Sequence, residues 1–376
     1  MRFLHTADWH IGKKLHGYDL LTEQRDAYEQ IKAIALAEKV DAVVIAGDLY
    51  DRALPSEDAV SALDAMLVDL NRHQHLPLLA ISGNHDSAVR LGQGREWFAS
   101  TDFYLKTRLA EGLKPVVMDN TQFFLLPYFE PFAVRQYFQD DSIKTVAAGM
   151  ERLVAAMQQQ FDPAMKHVLV AHFFAAGSQH SDSETLVQVG GLNAVPVDLL
   201  APFDYVALGH LHRKEALQNE PVIKYSGSPL KFSTSEAEDT KGVWIVDTDQ
   251  TPVSVTFKPL KPLNDLVVLT DSFDHLMDPE VSYPVTADDF IAVALTDTTP
   301  IANVMQRLKT RFPKIIELQR VNQLDVTPDT LNIEEVQRDP LTLLTDFFET
   351  VTDHALTDQQ QTWAKTTLQQ AMKEED

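Results

Sequence analysis

The chain has 376 residues, 44% of them apolar, enough to bury at least one large core with an appended domain or two. It contains no cysteine, which excludes disulfides and thiolate metal sites and leaves any metal to His, Asp, Glu or Asn. A formal charge of −23 argues against a broad basic surface for duplex DNA, although metal ions and local Arg or Lys still bind phosphate.

The N-terminal "MRFLHTADWH" has no apolar stretch of signal-peptide length, and no run approaches the roughly 18 apolar residues of a membrane span. A cytoplasmic protein with no membrane contact is expected. The first elements alternate. Phe3-Leu4 opens a strand that ends at Asp8 and His10, just before Gly12. "EQRDAYEQIKAIALAEKV" (23–40) has helical spacing, and "DAVVIAGD" (41–48) is a buried strand. "SEDAVSALDAMLVDLNRH" (56–73) opens after Pro55-Ser56 like a capped helix. "LPLLAISGNHD" (76–86), "TQFFLLP" (121–127), "KHVLVAHF" (166–173) and "FDYVALGHLH" (203–212) are further buried strands. Such alternation predicts a layered α/β fold with its strands covered by helices. "VIKYSGSP" and "GVWIVDTD" look hairpin-like, so the sheets are expected to be mixed.

"KPLKPLNDL" (258–266) resembles a linker and divides 1–260 from a smaller α+β domain, 261–333. In the latter, "DDFIAVALTD" (288–297) predicts a strand, "TPIANVMQRLKTRF" (299–312) a helix with Pro300 in its first turn, and "PKIIELQRV" (313–321) a second strand. The remaining segment, 334–376, is helical by pattern. Leu344, Phe347, Phe348 and Val351 fall at i, i+3, i+4 and i+7, and Thr357 with Gln360 forms a possible capping box. This segment carries ten acidic and three basic residues, as suits a solvated tail that faces a partner.

The chemistry gathers at strand ends, where open α/β sheets bind their ligands. The first strand ends at Asp8 and His10, the next at Asp48, and the third at Asn84, His85 and Asp86. Two later strands end at His172 and at His210 with His212. Each piece has a bland reading: a lone His is commonly a hydrogen-bonded residue, and Gly-Asp or Gly-Asn is commonly a turn. Five such elements at five strand ends are harder to dismiss. An Asp, His and Asn set without thiolate favours Mn²⁺, with Fe²⁺, Zn²⁺ or Mg²⁺ as alternatives. Seven ligands suit two ions that share a carboxylate, a site that polarises a phosphoryl group and generates a hydroxide nucleophile.

D-x-H, G-D, G-N-H-D, a lone H and G-H-x-H, in that order over residues 1–260, resemble the calcineurin-like metallophosphoesterases. "LHTADWHIGKKL", "VIAGDLYDRALPS", "ISGNHDS", "VALGHLHR" and "YSGSPLKFSTSE" resemble more narrowly the branch of bacterial nuclease subunits that process broken DNA ends. These work with a coiled-coil ATPase of the SbcC type. The resemblance implies one metal on Asp8, His10, Asp48 and His212, and a second on Asp48, Asn84, His172 and His210, with Asp48 bridging. It gives His85 the role of protonating the leaving 3′ oxygen, or of stabilising charge on it. It further implies a β-sandwich flanked by helices, two Mn²⁺, DNA ends and hairpins as substrates, a homodimer within a heterotetramer, a cap formed by 261–333, and a tail, 334–376, that binds the ATPase. ATP-dependent 3′-to-5′ double-strand exonuclease and single-strand or hairpin endonuclease activities follow from the same resemblance.

Other residues carry less. His5 is expected to pack in the core, and His73 and His75 to lie on the surface at a helix end. Asp51 follows Asp48 closely and reads equally as a turn residue, and Asp86 either orients His85 or caps the helix after Ser87. Lys13, Arg52 and Arg90 are candidate DNA contacts within a modest basic rim. Two rival readings stand beside the nuclease: a phosphodiesterase or phosphatase for a small nucleotide or phosphoprotein, and a scaffold with a dead site.

Overall fold

The computed structural model describes residues 1–179, 181, 184, 194–321, 341–342, 344–345, 348 and 355–374. The chain divides into two compact units, Met1–Ala294 with Ile301–Gln319, and Leu295–Pro300 with Arg320–Asp376.

The strands of the first sheet are short and apolar on both faces, as is usual where helices cover one face and a second sheet the other. They are β1 (Arg2–Thr6), β4 (Ala42–Ile45), β5 (Leu78–Ile81), β6 (Phe103–Lys106), β12 (Gly242–Asp247) and β13 (Ser254–Pro259). Their order is β13-β12-β1-β4-β5-β6. The run from β1 to β6 is parallel, and β12 joins β1 antiparallel. The second sheet holds β7 (Val116–Met118), β8 (Thr121–Leu125), β9 (Lys166–His172), β10 (Tyr205–Gly209) and β11 (Ile223–Tyr225), in the order β11-β10-β9-β8-β7. A small hairpin, β2 (Lys14–Leu15) with β3 (Tyr18–Asp19), follows the first loop.

Side chains alternate across each strand, and the three main cores follow from that alternation. Phe3, Val44 and Leu79 point inward and meet Phe123, Val168 and Tyr205 of the other sheet. Leu4, Val43 and Leu78 point outward onto α1 (Leu21–Ala37) and α2 (Glu57–Val68), where Ile31 and Leu63 cover them. Phe124, Leu169 and Val206 point outward from the second sheet onto α3 (Val146–Gln158), through Met150 and Leu153. Four layers result, helix, sheet, sheet and helix, so the sheets are covered by helices as the alternation predicts and stack on each other as the resemblance implies. Both long helices near the N-terminus fall where expected, with Ser56 accepting from Ala59 N as the cap of α2.

A three-stranded sheet, β14 (Leu266–Asp271), β15 (Phe290–Leu295) and β16 (Ile315–Arg320), lies in that order. Leu266, Phe290, Ala292 and Ile316 share a fourth core with Leu15, Leu20, Ala27, Leu230 and Phe232. Three expectations need correction here. The helix of 299–312 shrinks to α5 (Val304–Leu308), because Asn303 takes a left-handed backbone that a helix from Pro300 cannot pass through. The strand β14 and the short helix α4 (Phe273–Met277) escaped the pattern reading. "VIKYSGSP" is not in a hairpin, since Ile223–Tyr225 pairs parallel with β10, whereas "GVWIVDTD" is, Gly242–Asp247 pairing antiparallel with β13.

Of the tail, residues 341–342, 344–345 and 348 are helical, whereas Phe347 and Val351 lie outside the described residues. The helix α6 (Asp358–Glu374) begins with the capping box foreseen: Thr357 N donates to Gln360 Oε1 at 2.9 Å and Gln360 N to Thr357 Oγ1 at 3.4 Å. Among the described residues, no helix is long and apolar enough to cross a membrane.

Candidate active site

β1, β4 and β5 are parallel neighbours in one sheet, and β9 and β10 in the other, so all five carboxyl ends open toward one edge of the sandwich. The loops beyond them are laced together. Asp8 N donates to Gly47 O at 3.0 Å and His10 N to Asp48 O at 3.0 Å. From β10, the His210 N–H reaches both oxygens of Asp8 at 3.0 and 3.1 Å. The glycines of G-N and G-H are demanded by this closeness. A methyl group on Gly83 would sit 2.1 Å from Asp48 Oδ1, and one on Gly209 2.1 Å from Ala46 O. Asp8, His10, Asp48 and His210 all take positive φ, a backbone that costs on the order of 1–3 kcal/mol per residue and persists where the surroundings enforce it.

All seven predicted ligands converge. Asp8, His10, Asp48, His172, His210 and His212 are buried, and Asn84 is half-buried. On one side, His10 Nε2 faces His212 Nε2 at 3.1 Å and Asp48 Oδ2 at 3.6 Å, and Asp8, His10 and His212 form one group of metal-competent atoms. On the other, Asn84 Oδ1 lies 2.9 Å from His172 Nε2 and 3.0 Å from His210 Nδ1, and Asp48 Oδ2 lies 3.2 Å from His172 Nε2. The same oxygen of Asp48 thus faces both sides. Asp8, Asp48 and His172 form a second group, and His10, Asp51 and His85 a third.

The donor set fits divalent cations. Two imidazole nitrogens 3.1 Å apart in a dry site repel unless a proton or a cation lies between them. Burial pushes the Asp8 carboxyl up to about 7, against the pull of His172 and His212. Burial also works to raise Asp48, but His172, His10 and His85 outweigh it and hold that carboxyl well below the usual range. For His172, burial is overcome by Asp48 and Asp8, which raise it to about 9, whereas burial holds His210 down at about 3 and His10 well below its ordinary value. A divalent ion relieves both penalties, since it takes the place of protons among ionised carboxylates and neutral imidazoles.

His85 lies at the edge of this cluster, grouped with His10 and Asp51. Its ring stands edge-on to His10, centroids 4.7 Å apart, and its Nδ1 donates to Asp51 O at 2.8 Å. That bond fixes the tautomer with a proton on Nδ1. The backbone N–H of His85 donates to Asp48 Oδ1 at 2.9 Å. Of the basic residues, Lys13 Nζ binds Asp51 at 3.0 Å, Arg52 Nε lies 3.4 Å from Asp51, and Arg90 donates to Ala53 O at 3.4 Å, which gathers all three around the 51–53 loop. His5 is fully buried, and its Nδ1 lies 2.9 Å from Tyr205 Oη; His73 is exposed.

Several further residues hold the site without being ligand candidates. Gln24, buried on α1, donates to Trp9 O and His10 O at 3.2 and 2.7 Å and accepts from Gly12 N. Asp86 accepts from Leu49, Tyr50 and Gly83 backbone N–H groups, so it ties two ligand loops together while Ser87 caps the next helix with its own hydroxyl. Phe232 stands edge-on to both His10 and His212 at 5.5 Å. Their partners come from distant chain segments, which no local pattern reveals.

A sandwich of this topology with a histidine, aspartate and asparagine cluster at its strand ends defines a dimetal-type phosphoesterase, and the sequence profile of the calcineurin-like phosphoesterases matches residues 1–214: the chain belongs to that family. Within it, the SbcD polypeptide of the SbcCD nuclease of Staphylococcus epidermidis is 34% identical over 357 residues, 95% of each chain, which places this protein in the same branch. A second profile, the type 5 capsule protein repressor C-terminal domain, matches residues 262–352. A Thermus thermophilus protein of known crystal structure is 13% identical, covering 68% of this chain and 98% of its own, with a TM-score of 0.39. A dimetal phosphatase from Danio rerio is also 13% identical, covering 65% and 92%, with a TM-score of 0.39. The protein is a metal-dependent phosphodiester hydrolase.

Proposed function

We propose that this chain is the nuclease subunit of an SbcCD-type complex, hydrolysing DNA phosphodiesters at a two-Mn²⁺ site in repair, recombination and replication. Asp8, His10, Asp48 and His212 hold one ion, and Asp48, Asn84, His172 and His210 the other. What carries the reading is Asp48 Oδ2, which lies within 3.6 Å of His10 Nε2 and 3.2 Å of His172 Nε2, as a bridging carboxylate requires. When bound there, two divalent ions would supply Lewis-acid polarisation of the phosphoryl group and a nucleophilic hydroxide at neutral pH.

The chain's own residues supply the remainder. Asp8 and Asp48 bring the negative charge that balances two divalent ions. His85, oriented through Asp51 O, donates a proton to the departing 3′ oxygen, a contribution of about 10²–10⁴-fold for a positioned general acid. Lys13, Arg52 and Arg90 orient the DNA backbone around the 51–53 loop. The segment 261–333 acts as a cap, and the acidic segment 334–376 docks on an SbcC-type coiled-coil ATPase that gates double-strand exonuclease activity, 3′ to 5′, and hairpin opening in a heterotetramer with two copies of this chain.

The test is Mn²⁺-dependent cleavage of linear duplex and hairpin DNA, with and without the ATPase subunit, beside a cyclic nucleotide. DNA cleavage stimulated by the ATPase and ATP is expected. Turnover of the cyclic nucleotide alone would overturn the nuclease reading in favour of a small-molecule phosphodiesterase, which the net charge of −23 otherwise favours.

A further inference from the structure

His212 is gripped from three directions by charged side chains, two of them fully withdrawn from solvent. Its backbone N–H donates to Glu184 Oε1 at 2.6 Å. Its carbonyl accepts from Lys241 Nζ at 2.8 Å and from Ser228 N at 3.1 Å. Its ring Nδ1, on the far side from the Nε2 that faces His10, lies 3.7 Å from Glu236 Oε1. Glu236 is wholly buried and pairs through its other oxygen with Lys241 Nζ at 2.5 Å, and Lys241 is itself buried. Asp239, 3.6 Å from Lys241 and 2.9 Å from Arg213 Nε, closes the network.

A buried ion pair of this kind gives little net stability, because desolvation of both charges offsets their attraction. What the pair does locally is bind His212, through Lys241 on its carbonyl and Glu236 beside its ring, so its part in the site calls for an explanation beyond charge balance. Metal-binding histidines generally donate their second ring N–H to a carboxylate or carbonyl, which fixes the tautomer and raises the basicity of the ligating nitrogen. His172 meets that need with a main-chain carbonyl, its Nδ1 lying 2.8 Å from Ala46 O. For His212 the group facing Nδ1 is instead a carboxylate, that of Glu236.

We infer that Glu236, held in place by Lys241, is a positioning residue for His212: it orders the ring so that Nε2 points into the His10 side of the cluster, and thereby sets the affinity of that one ion. Glu236 does not touch substrate or metal. The inference rests on the reading of His212 as a ligand. It predicts a site-selective defect, in which the ion on the Asp8, His10, Asp48 and His212 side is weakened while its neighbour on the His172 side is retained.

The experiment measures Mn²⁺ binding to the full chain, by titration with free Mn²⁺ followed by its paramagnetic resonance, for the wild type, His212→Ala, Glu236→Gln and Glu236→Gln with Lys241→Met. The wild type is expected to bind two ions, and His212→Ala to lose one. Glu236→Gln should weaken one ion by about 10- to 100-fold and leave the other unchanged. The double variant removes both buried charges, so it relieves any folding cost of an unpaired lysine, and it should show the same selective loss. Two wild-type affinities in Glu236→Gln would overturn the inference and leave the ligand reading standing. So would restored binding in the double variant, which would reduce Glu236 to a counter-charge for Lys241. Unaltered binding in His212→Ala would overturn the ligand reading itself, and the inference with it.

Discussion

The two sides of the metal cluster are built from similar ligands and supported in different ways. On the His172 side, the support behind the His172 ring is main chain: Ala46 O faces its Nδ1, and the ligand leaves a strand paired on both edges. On the His10 side, the supports are side chains: Gln24 on the loop carbonyls, Asp51 3.8 Å from His10 Nδ1, Glu236 behind His212, and Phe232 across both rings. A backbone carbonyl in a sheet cannot be changed by point mutation, whereas each of the others can. On the proposed assignment, one ion would sit in a position dictated by the fold, and the other in a position set by replaceable residues. Phe232 also belongs to the core it shares with Phe290 and Ile316, so the replaceable side is the one adjoining the three-stranded sheet.

Asp48 is where the contrast should fail, because its Oδ2 serves both sides. Asp48→Asn is expected to abolish metal-dependent hydrolysis and to weaken both ions in the same titration; retention of either ion at wild-type affinity would remove Asp48 as the bridge. A step down in effect, His85→Ala touches neither set of ligands. It should keep two ions while turnover falls by about 10²–10⁴-fold in single-turnover assays. Near-normal turnover with intact metal would assign the proton to another donor.

The smallest effect concerns the frame beneath both sides. His5 is wholly buried, and burial holds its pKa down at about 3 against 6.5 in the unfolded chain. Between these values the unfolded state binds the proton that the folded state refuses, so stability rises with pH across that window and is lost as pH falls below 6.5. Lowering the pH from 7 to 5 should cost about 2 kcal/mol through this residue alone. Denaturation midpoints of the metal-free chain measure it: His5→Gln should flatten the dependence, and an unchanged slope would shift the cause to other buried histidines.

Much of the site is legible in the sequence because strands deliver their last residue to a fixed edge. Asp8, Asp48, Asn84, His172 and His210 each lie just past a run whose apolar alternation marks the strand, and the parallel order then collects them. The four-layer body is legible for the same reason, since Phe3 and Leu4, or Val43 and Val44, face two different cores. What escapes the sequence depends on long-range neighbours. Glu236 closes the stretch YSGSPLKFSTSE, 24 residues beyond His212, but nothing local says which side chain it faces, and only the folded chain turns it toward the ring. In the smaller sheet, the expected helix from Pro300 gave way to a left-handed Asn303, a local choice that apolar spacing does not encode.

The positive φ angles of Asp8, His10, Asp48 and His210 bear on how this family can drift. Asn, Asp, His and Gly tolerate such backbone, and β-branched or bulky residues do not. The allowed alphabet at these four positions thus nearly coincides with the residues that bind metal, plus glycine. A descendant that abandons hydrolysis can shed its ions by accepting Asn or Gly there without refolding its loops, but it cannot readily accept Val, Ile or Leu. The strained backbone would therefore outlast the chemistry, and a retired enzyme of this lineage would still carry the imprint of its metal site in the residues it is permitted to keep.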